Sequence, residues 1–498
     1  MRYGAHRTVR YLFLFLLLHI PAIVEAQETT IQAHQELEIW NDSDLDEMVA
    51  DERFDFRLGY GNFALSTTFL IHQPSDADRL DPNLYGDPFE GLRKRMLEAR
   101  VGSAVAQIGH VYSTLARGVG LQIIENQPVD FDNAVDGFRA RWDEERYQIE
   151  LLAGGNAFDE KEIYVKAASF GTAALSDLHL SYHAVQVDST DDPAGRPRGR
   201  DRIHGGDFEW SSMWGDLFAA YLVRDYIHPD ENQREYPQGH AGYGVCNIFW
   251  GPLSLSFEGA DFLRYKWAYS QGTPIPIRQH ATTLLTRGSH VANFRLEDER
   301  GYQAEALLGL LDGVLAVTLN HSASETHDEE LPFFESYGDL QWHPNPDLTI
   351  TLRASESEET IQAANHETFF ERLTYGGNIY QPVTDTWSVE IDFETQGVQE
   401  QNLSVSSYTF PIETRDNLAT FNLYHAPNLA FAVTHEWTND AREKKDEWTF
   451  AEMNFQFMER HQLSLGFGSF RGGQLCSGGI CRPLAPFTGL RLNWQTVF

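Results

Sequence analysis

The chain ends Leu490-Arg491-Leu492-Asn493-Trp494-Gln495-Thr496-Val497-Phe498. Successive side chains of a strand point to opposite faces, so Leu490, Leu492, Trp494, Thr496 and Phe498 share one face. Arg491, Asn493, Gln495 and Val497 share the other. A soluble β-sandwich can end on such a strand. A Trp-bearing apolar face that ends on an aromatic also fits the closing strand of an outer-membrane barrel, with apolar residues toward lipid and polar ones toward the lumen. The remainder of the chain discriminates between the two.

At the other end, Arg2, Arg7 and Arg10 precede the apolar run Tyr11–Ile20, and Val24-Glu25-Ala26 offers a small-residue cleavage site. A basic segment, an apolar segment and a cut predict a secretory signal peptide over residues 1–26. The apolar run is too short to span a bilayer comfortably as a helix. No longer transmembrane helix follows. A membrane-bound reading therefore requires a closed barrel, the other way to satisfy every backbone group in lipid. The formal charge is −35, which makes nucleic acid and anionic inner leaflets poor partners. It suits an acidic lumen that favours cations, or acidic loops that merely solvate the surface.

Internal strands repeat the terminal pattern. Trp387, Val389, Ile391 and Phe393 alternate with Ser388, Glu390, Asp392 and Glu394. A face of three carboxylates suits a wet barrel interior better than a soluble core. Leu418–Tyr424 and Leu429–Trp437 flank a tight connection, as do Ala451–Phe457 and Leu463–Phe467. Longer polar stretches intervene, including 438–446, 471–486, 355–367 and the Arg-rich 188–206. Short turns on one side and long loops on the other are the outer-membrane rhythm. Trp142, Trp250, Trp387, Trp437 and Trp494 fall near strand ends, where interfacial girdles place aromatics.

The expectation is therefore all-β: a single large antiparallel transmembrane β-barrel over 51–498, with short periplasmic turns and long extracellular loops. Residues 27–50 read as a short polar N-terminal segment. At roughly 26 residues per strand and connection the barrel would have about 16–18 strands, closed by Leu490–Phe498 onto a first strand near Phe54. Inward-facing candidates are Glu390, Asp392, Glu394, Arg491, Asn493 and Gln495. Arg491, a lone cation on its strand, reads as a paired structural residue.

Residues 109–141 lack a clean lipid-facing alternation and are dense in Gly and charge. Such a segment can fold into the lumen, where Arg117 would pair with Glu125, Asp132 or Asp136, because buried charges need partners. It would form either a constriction or a structural charge network. Three cysteines are present. Cys476 and Cys481 bracket Ser-Gly-Gly-Ile and suit a disulfide in an oxidising compartment; Cys246 lies in an aromatic run and reads as buried and inert.

The blocks Gly109-His110-x-Tyr112, Arg117-Gly118-x-Gly120-Leu121 and Asp132-Asn133-Ala134-x-Asp136-Gly137 resemble a motif set of an uncharacterised family of outer-membrane β-barrel proteins found mainly in Bacteroidota. Residues 278–287, 298–303, 476–482 and 487–489 are similar to that family's later blocks. The resemblance implies an outer-membrane barrel and no particular activity.

Signatures of catalysis are thin. The chain holds no Gly-x-Ser-x-Gly elbow and no His-Glu-x-x-His motif. His280 near Thr282 and Thr283, and His290 beside Ser289, are chance-level pairs among 19 histidines. No cofactor or metal centre is expected. The expected role is porin-like passage of small, cationic solutes through an acidic lumen. The alternative is a closed barrel acting as a receptor, adhesin or secretion-complex subunit; a lipid hydrolase ranks last. Expected partners are outer-membrane lipids, the barrel-assembly machinery and small solutes.

Overall fold

The computed structural model describes residues 29–75, 88–129, 131–157, 163–189, 199–227, 238–265, 267, 269, 277–288, 290, 298–327, 331–363, 366–403, 411–477 and 480–498. The expected signal peptide lies outside these residues.

One antiparallel 24-stranded sheet closes into a barrel. Its strands are β1 (Thr29–Asp42), β2 (Glu47–Tyr60), β3 (Phe63–Pro74), β4 (Phe89–Val101), β5 (Ala104–Val111), β6 (Val135–Asp143), β7 (Tyr147–Asn156) and β8 (Ile163–Leu175). There follow β9 (Leu178–Ser189), β10 (Gly199–Ser212), β11 (Gly215–Ile227), β12 (Gly239–Trp250), β13 (Leu253–Leu263), β14 (Asp298–Leu310), β15 (Leu315–Thr326) and β16 (Pro332–Asn345). The last are β17 (Leu348–Ala363), β18 (His366–Pro382), β19 (Trp387–Asn402), β20 (Ile412–His425), β21 (Leu429–Thr438), β22 (Glu447–Phe457), β23 (His461–Phe470) and β24 (Phe487–Val497).

β24 pairs with β23 on one side and with β1 on the other, in the register His34↔Val497 to Asp42↔Gly489. The closing partner is thus β1, not a strand near Phe54. Residues 27–50 are not a free polar segment: they supply β1 and the start of β2. β1 escaped the sequence reading because its inward residues are charged. Glu36 accepts hydrogen bonds from Asn493 (2.8 Å) and Gln495 (3.0 Å), and Glu38 pairs with Arg491 (2.8 Å). Those partners stand at the far end of the chain.

Strand number exceeds the expected 16–18 because most connections are shorter than assumed. At the end bearing both termini they are as brief as 61–62, 176–177 and 251–252. At the other end the segments 112–134, 264–297 and 471–486 are long. Two stretches expected as loops are largely strand: 188–206 narrows to the connection 190–198, and 355–367 lies almost wholly within β17 and β18. Arg200 and Arg202 therefore sit on β10, whereas Arg196 and Arg198 lie outside the described residues.

Outward positions carry exposed large apolar side chains in nearly every strand, among them Leu97, Ile108, Tyr182, Tyr221, Leu319, Leu352 and Ile391. Among the described residues no helix is long and apolar enough to cross a membrane. Exposed Trp142, Trp214, Trp250, Trp342 and Trp387 cluster by the short turns; Trp437 sits at the opposite end, in the last turn of β21.

The interior is layered rather than uniformly polar. Along β9, inward His179 and Ser181 near the short turn are accessible, whereas Val185 and Val187 toward the long-loop end are buried. The same holds across β5–β13, where Val111, Leu152, Val165, Ile203, Phe218, Leu222 and Phe262 form one apolar cluster. An acidic wet lumen was the expectation; nine of the 24 strands instead line an apolar core at the long-loop end.

Seam geometry makes a direct prediction. A Cβ on Gly489 would lie 1.8 Å from the Asn41 carbonyl oxygen of β1. Backbone cannot yield as a flexible side chain can, and overpacking of this kind costs about 1–3 kcal/mol. Gly489→Val should lower the unfolding midpoint, read as loss of the folded, fast-migrating band on unheated gels. A change such as Gly397→Ser on β19, with open space around the glycine and no left-handed φ, should not.

Candidate functional site

Three long connections turn inward and occupy the barrel at one end. The first, 112–134, folds as two short hairpins: Ser113–Leu115 with Leu121–Ile123, and Glu125–Asn126 with Phe131–Asp132. Leu115, Val119, Leu121 and Ile123 are buried against the apolar wall of β5–β13. Each such residue contributes about 1.5–3 kcal/mol by leaving water. Tyr265, Trp267 and Tyr269, from the second connection, join the same cluster. The two connections also bond directly: Tyr265 Oη donates to the Val119 carbonyl (3.0 Å), and the Gln122 amide donates to the Tyr269 carbonyl (3.2 Å).

Charge fastens the first insertion to the wall on both sides. Glu125 pairs with Lys94 on β4 and with Arg53 on β2 (2.9 Å). Burial alone would raise the Glu125 carboxyl, but these two cations hold it below the usual range. Asp132 pairs with the same Lys94 (3.1 Å) and accepts from Tyr112 Oη (3.2 Å). Ser113 donates to Glu150 on β7, which Arg139 grips with both nitrogens at 2.8 Å. Arg117 does not join Glu125, Asp132 or Asp136. It reaches β10 and pairs with Glu209 at 2.8 Å, its guanidinium 4.1 Å above the Phe218 ring. Asp136 is not internal either: it stands on the outer face, paired with Arg95 (3.1 Å). The alternation of β6 decides this, because Phe138 and Trp142, two and six residues on, also face outward.

The polar half of the wall receives the second connection over 277–290. Its helix α1 (Thr283–Arg287) buries Leu284 and Leu285. The Leu284 amide donates to Glu394 (2.9 Å), and Gln396 donates to the Leu284 carbonyl (3.2 Å). Arg278 pairs with Glu305 and lies 4.5 Å over the Tyr337 ring. His280 pairs with Glu335 (2.7 Å). Arg287 makes a two-nitrogen pair with Glu436 on β21, at 2.5 and 3.1 Å. The third connection begins with Arg471, which pairs with Asp416 (2.8 Å), Glu436 (3.3 Å) and Glu443 (2.7 Å). Its hairpin, Gly473–Ser477 with Ile480–Leu484, meets both α1 and residues 127–129. The backbones of Cys476 and Cys481 face each other in that hairpin; their side chains lie outside the described residues. Cys246 is a half-buried free thiol on β12.

Of the expected inward residues, Glu394 is only 2 % exposed and caps the plug helix. Asp392 pairs with Arg353 (3.3 Å). Glu390 accepts from Asn378 (2.7 Å) and Tyr424 (2.8 Å) beside an open polar cavity of about 540 Å³ at the short-turn end. Arg491, Asn493 and Gln495 meet the β1 carboxylates at the seam. Sequence reasoning missed Lys94, Arg278, Arg287, Glu436 and Arg471. A usable signal existed for two of them: Arg278 and Arg287 bracket an apolar turn inside a long stretch with no strand alternation.

His290 is held between two carboxylates. Its Nε2 meets Glu299 (2.9 Å), its Nδ1 meets Glu359 (2.6 Å), and its ring stacks on Phe333 with centroids 4.5 Å apart. Burial would depress this imidazole, but the hydrogen bonds to the two carboxylates overrule burial and push it up to about 10. A group raised above its free value near 6.5 contributes stability fully below that pH and loses it as pH climbs through the raised value. Amide exchange at Leu284 should therefore accelerate between about pH 6.5 and 10, beyond the intrinsic base catalysis. His290→Gln should flatten that excess; an unchanged excess would remove His290 as the cause.

A family profile described as "Family of unknown function (DUF6029)" matches residues 358–498. No curated protein matches the chain. Among solved structures, the chain is similar to the P pilus usher (PapC) translocation pore at 9 % identity, over 95 % of this chain and 99 % of that one, with a TM-score of 0.47. It is similar to the siderophore receptor PirA from Pseudomonas aeruginosa at 9 % identity, over 94 % and 80 %, with a TM-score of 0.48. It is also similar to Pseudomonas aeruginosa OccK1 (OpdK) at 12 % identity, over 76 % and 98 %, with a TM-score of 0.40.

Proposed function

We propose that the protein is an outer-membrane β-barrel conduit held closed at rest by a plug made from three of its own connections. Membrane placement is supported by the outward apolar band and by the aromatics beside the short turns, which suit lipid and its interface. Short turns suit the periplasmic side of an outer-membrane barrel, so that end faces the periplasm and the long connections face outward. This reading extends kinship with the mainly Bacteroidota outer-membrane family beyond the 358–498 matched by the family profile.

The observation that carries the closed state is where the plug is tied. Its contacts reach β2, β4, β7 and β10 from the first insertion, and β14, β16, β19 and β21 from the second. A freely open porin has no use for anchors on so much of its circumference. The polar half of those anchors is ionic, and removing one partner of a buried pair is costly, about 3–5 kcal/mol. Displacing the second connection would join the outside to the periplasmic vestibule. The route would pass Glu390, Asp392, Glu394 and Glu436, so the open state should prefer small cations.

Planar-bilayer recording of the full mature chain tests this. Wild type should be silent or only flicker. Arg287→Glu, which sets two carboxylates against each other at Glu436, should open a cation-preferring conductance. A steady large conductance in wild type would mean an open porin. Silence in Arg287→Glu and also in a variant lacking 279–288, both correctly assembled, would favour a permanently closed receptor.

A further inference from the structure

On an acidic molecule, two rows of the outer wall carry three cations against two carboxylates. Lys166 on β8, Gln186 on β9, Arg202 on β10 and Asp225 on β11 are directly opposite one another in successive ladders. They form one row across four strands. The next row toward the long-loop end holds Tyr164, Asp188, Arg200 and Ile227. All of these positions face outward, because the intervening Val165, Val187 and Ile203 are buried in the interior cluster. Arg200 pairs with Asp188 (2.5 Å). Lys166 and Arg202 are exposed, and among the described residues neither forms an ion pair or side-chain hydrogen bond.

Depth locates the row. From Arg202 to Trp210, near the short turn, β10 runs eight residues, about 27 Å along a strand. At a tilt of about 40° that is roughly 20 Å of height, close to the apolar band of an outer-membrane barrel. The two cations therefore stand at the outer edge of the band, where head groups of the outer leaflet lie. Two strands separate them, roughly 10 Å of backbone, a gap that two long side chains can close around one phosphate.

Beneath the cations the wall is shaped for a chain. Ala168, Ala184 and His204 occupy the row two residues below Lys166, Gln186 and Arg202, and His204 is exposed. Two residues further down, Gly206 lies directly between Tyr182 and Tyr221. Both tyrosines are more than half exposed. A glycine between two standing rings leaves a shallow channel that begins beside Ala184 and His204 and runs toward the short-turn end.

We infer that Lys166 and Arg202, with the Tyr182–Gly206–Tyr221 channel, form a docking site for a phosphorylated glycolipid of the outer leaflet. Its phosphate is held by charge-assisted hydrogen bonds and an acyl chain lies in the channel. Arg is suited to grip phosphate with two nitrogens, and the apolar channel supplies what a free anion cannot use. The inference rests on the outer-membrane placement above and is independent of whether the barrel conducts.

Native mass spectrometry of the full chain in detergent tests it, titrating bis-phosphorylated lipid A, the same lipid stripped of phosphate, and inorganic phosphate. Phosphorylated lipid should bind at least about tenfold tighter than stripped lipid, and inorganic phosphate alone should bind weakly. Lys166→Gln/Arg202→Gln should lose that preference. Arg300→Gln, on the outer face of β14 and paired with Glu325, should keep it. If the double variant fails to assemble, single Arg202→Gln together with loss of wild-type binding in high salt gives the same reading. Equal binding of the two lipids, or an assembled double variant that binds like wild type, overturns the site. Inorganic phosphate binding as tightly as the lipid would overturn the lipid assignment. Membrane fractionation of the wild-type cells separates these outcomes: no lipid preference in wild type with intact outer-membrane recovery condemns the site alone, whereas recovery of wild type in the soluble fraction condemns the placement.

Discussion

Everything in this molecule depends on one ladder, the pairing of β24 with β1. A sheet of 24 strands leaves two edges, and an edge in lipid would strand a row of amides and carbonyls without partners, each costing several kcal/mol. Closure through His34↔Val497 to Asp42↔Gly489 removes both edges at once. The side chains repeat the logic on the inner face, where Glu38 meets Arg491 and Glu36 meets Asn493 and Gln495. A cation among carboxylates is thereby placed where it neutralises rather than attracts.

Closing so many strands creates a second problem, because the circumference is wider than side chains can fill. The protein answers with backbone. The first insertion carries its own apolar face to the apolar wall of β5–β13, and the second carries hydrogen-bonding groups and charge to the polar wall of β14–β21. Both insertions are held by ion pairs, but only the first adds a broad apolar contact. Ion pairs respond to salt and pH, so the second insertion, with Arg287, His280 and His290, depends on both more than the first.

Much of this was legible in the sequence. β24 and β19 announce themselves because their outward residues are large and apolar while their inward residues are charged, a contrast that survives without any partner in view. β1 is harder: Ala33 and Gln35 weaken its outward face, and an amide that satisfies its inward Glu36 belongs to a residue 457 positions away. The end of β17 and the start of β10 read as loops because their outward positions near the long-loop end carry charge in place of apolar side chains. Glu356 and Glu358 of β17, and Arg200 and Arg202 of β10, occupy outward positions there. The interior contacts were the least legible. Arg117 carries no mark that distinguishes Glu209 as its partner from the nearer Glu125, because only the closed barrel brings β10 beside the first insertion.

The seam also sets a timetable for biogenesis. Of the 24 barrel strands, the one that closes the barrel is the last to be made and its partner is the first. Until the C-terminus arrives, β1 waits with an unpaired edge, and β24 then has to find it across a loop of nearly the whole chain. For a flexible loop of that length, closure costs about 5 kcal/mol of chain entropy beyond the constant term. An exposed edge waiting in an aqueous compartment is a template for wrong pairing. The architecture therefore commits the cell to escorting an unfinished chain, and it gives the final nine residues an authority over quality control that no interior strand shares: a chain truncated before them keeps almost all its strands and has no barrel.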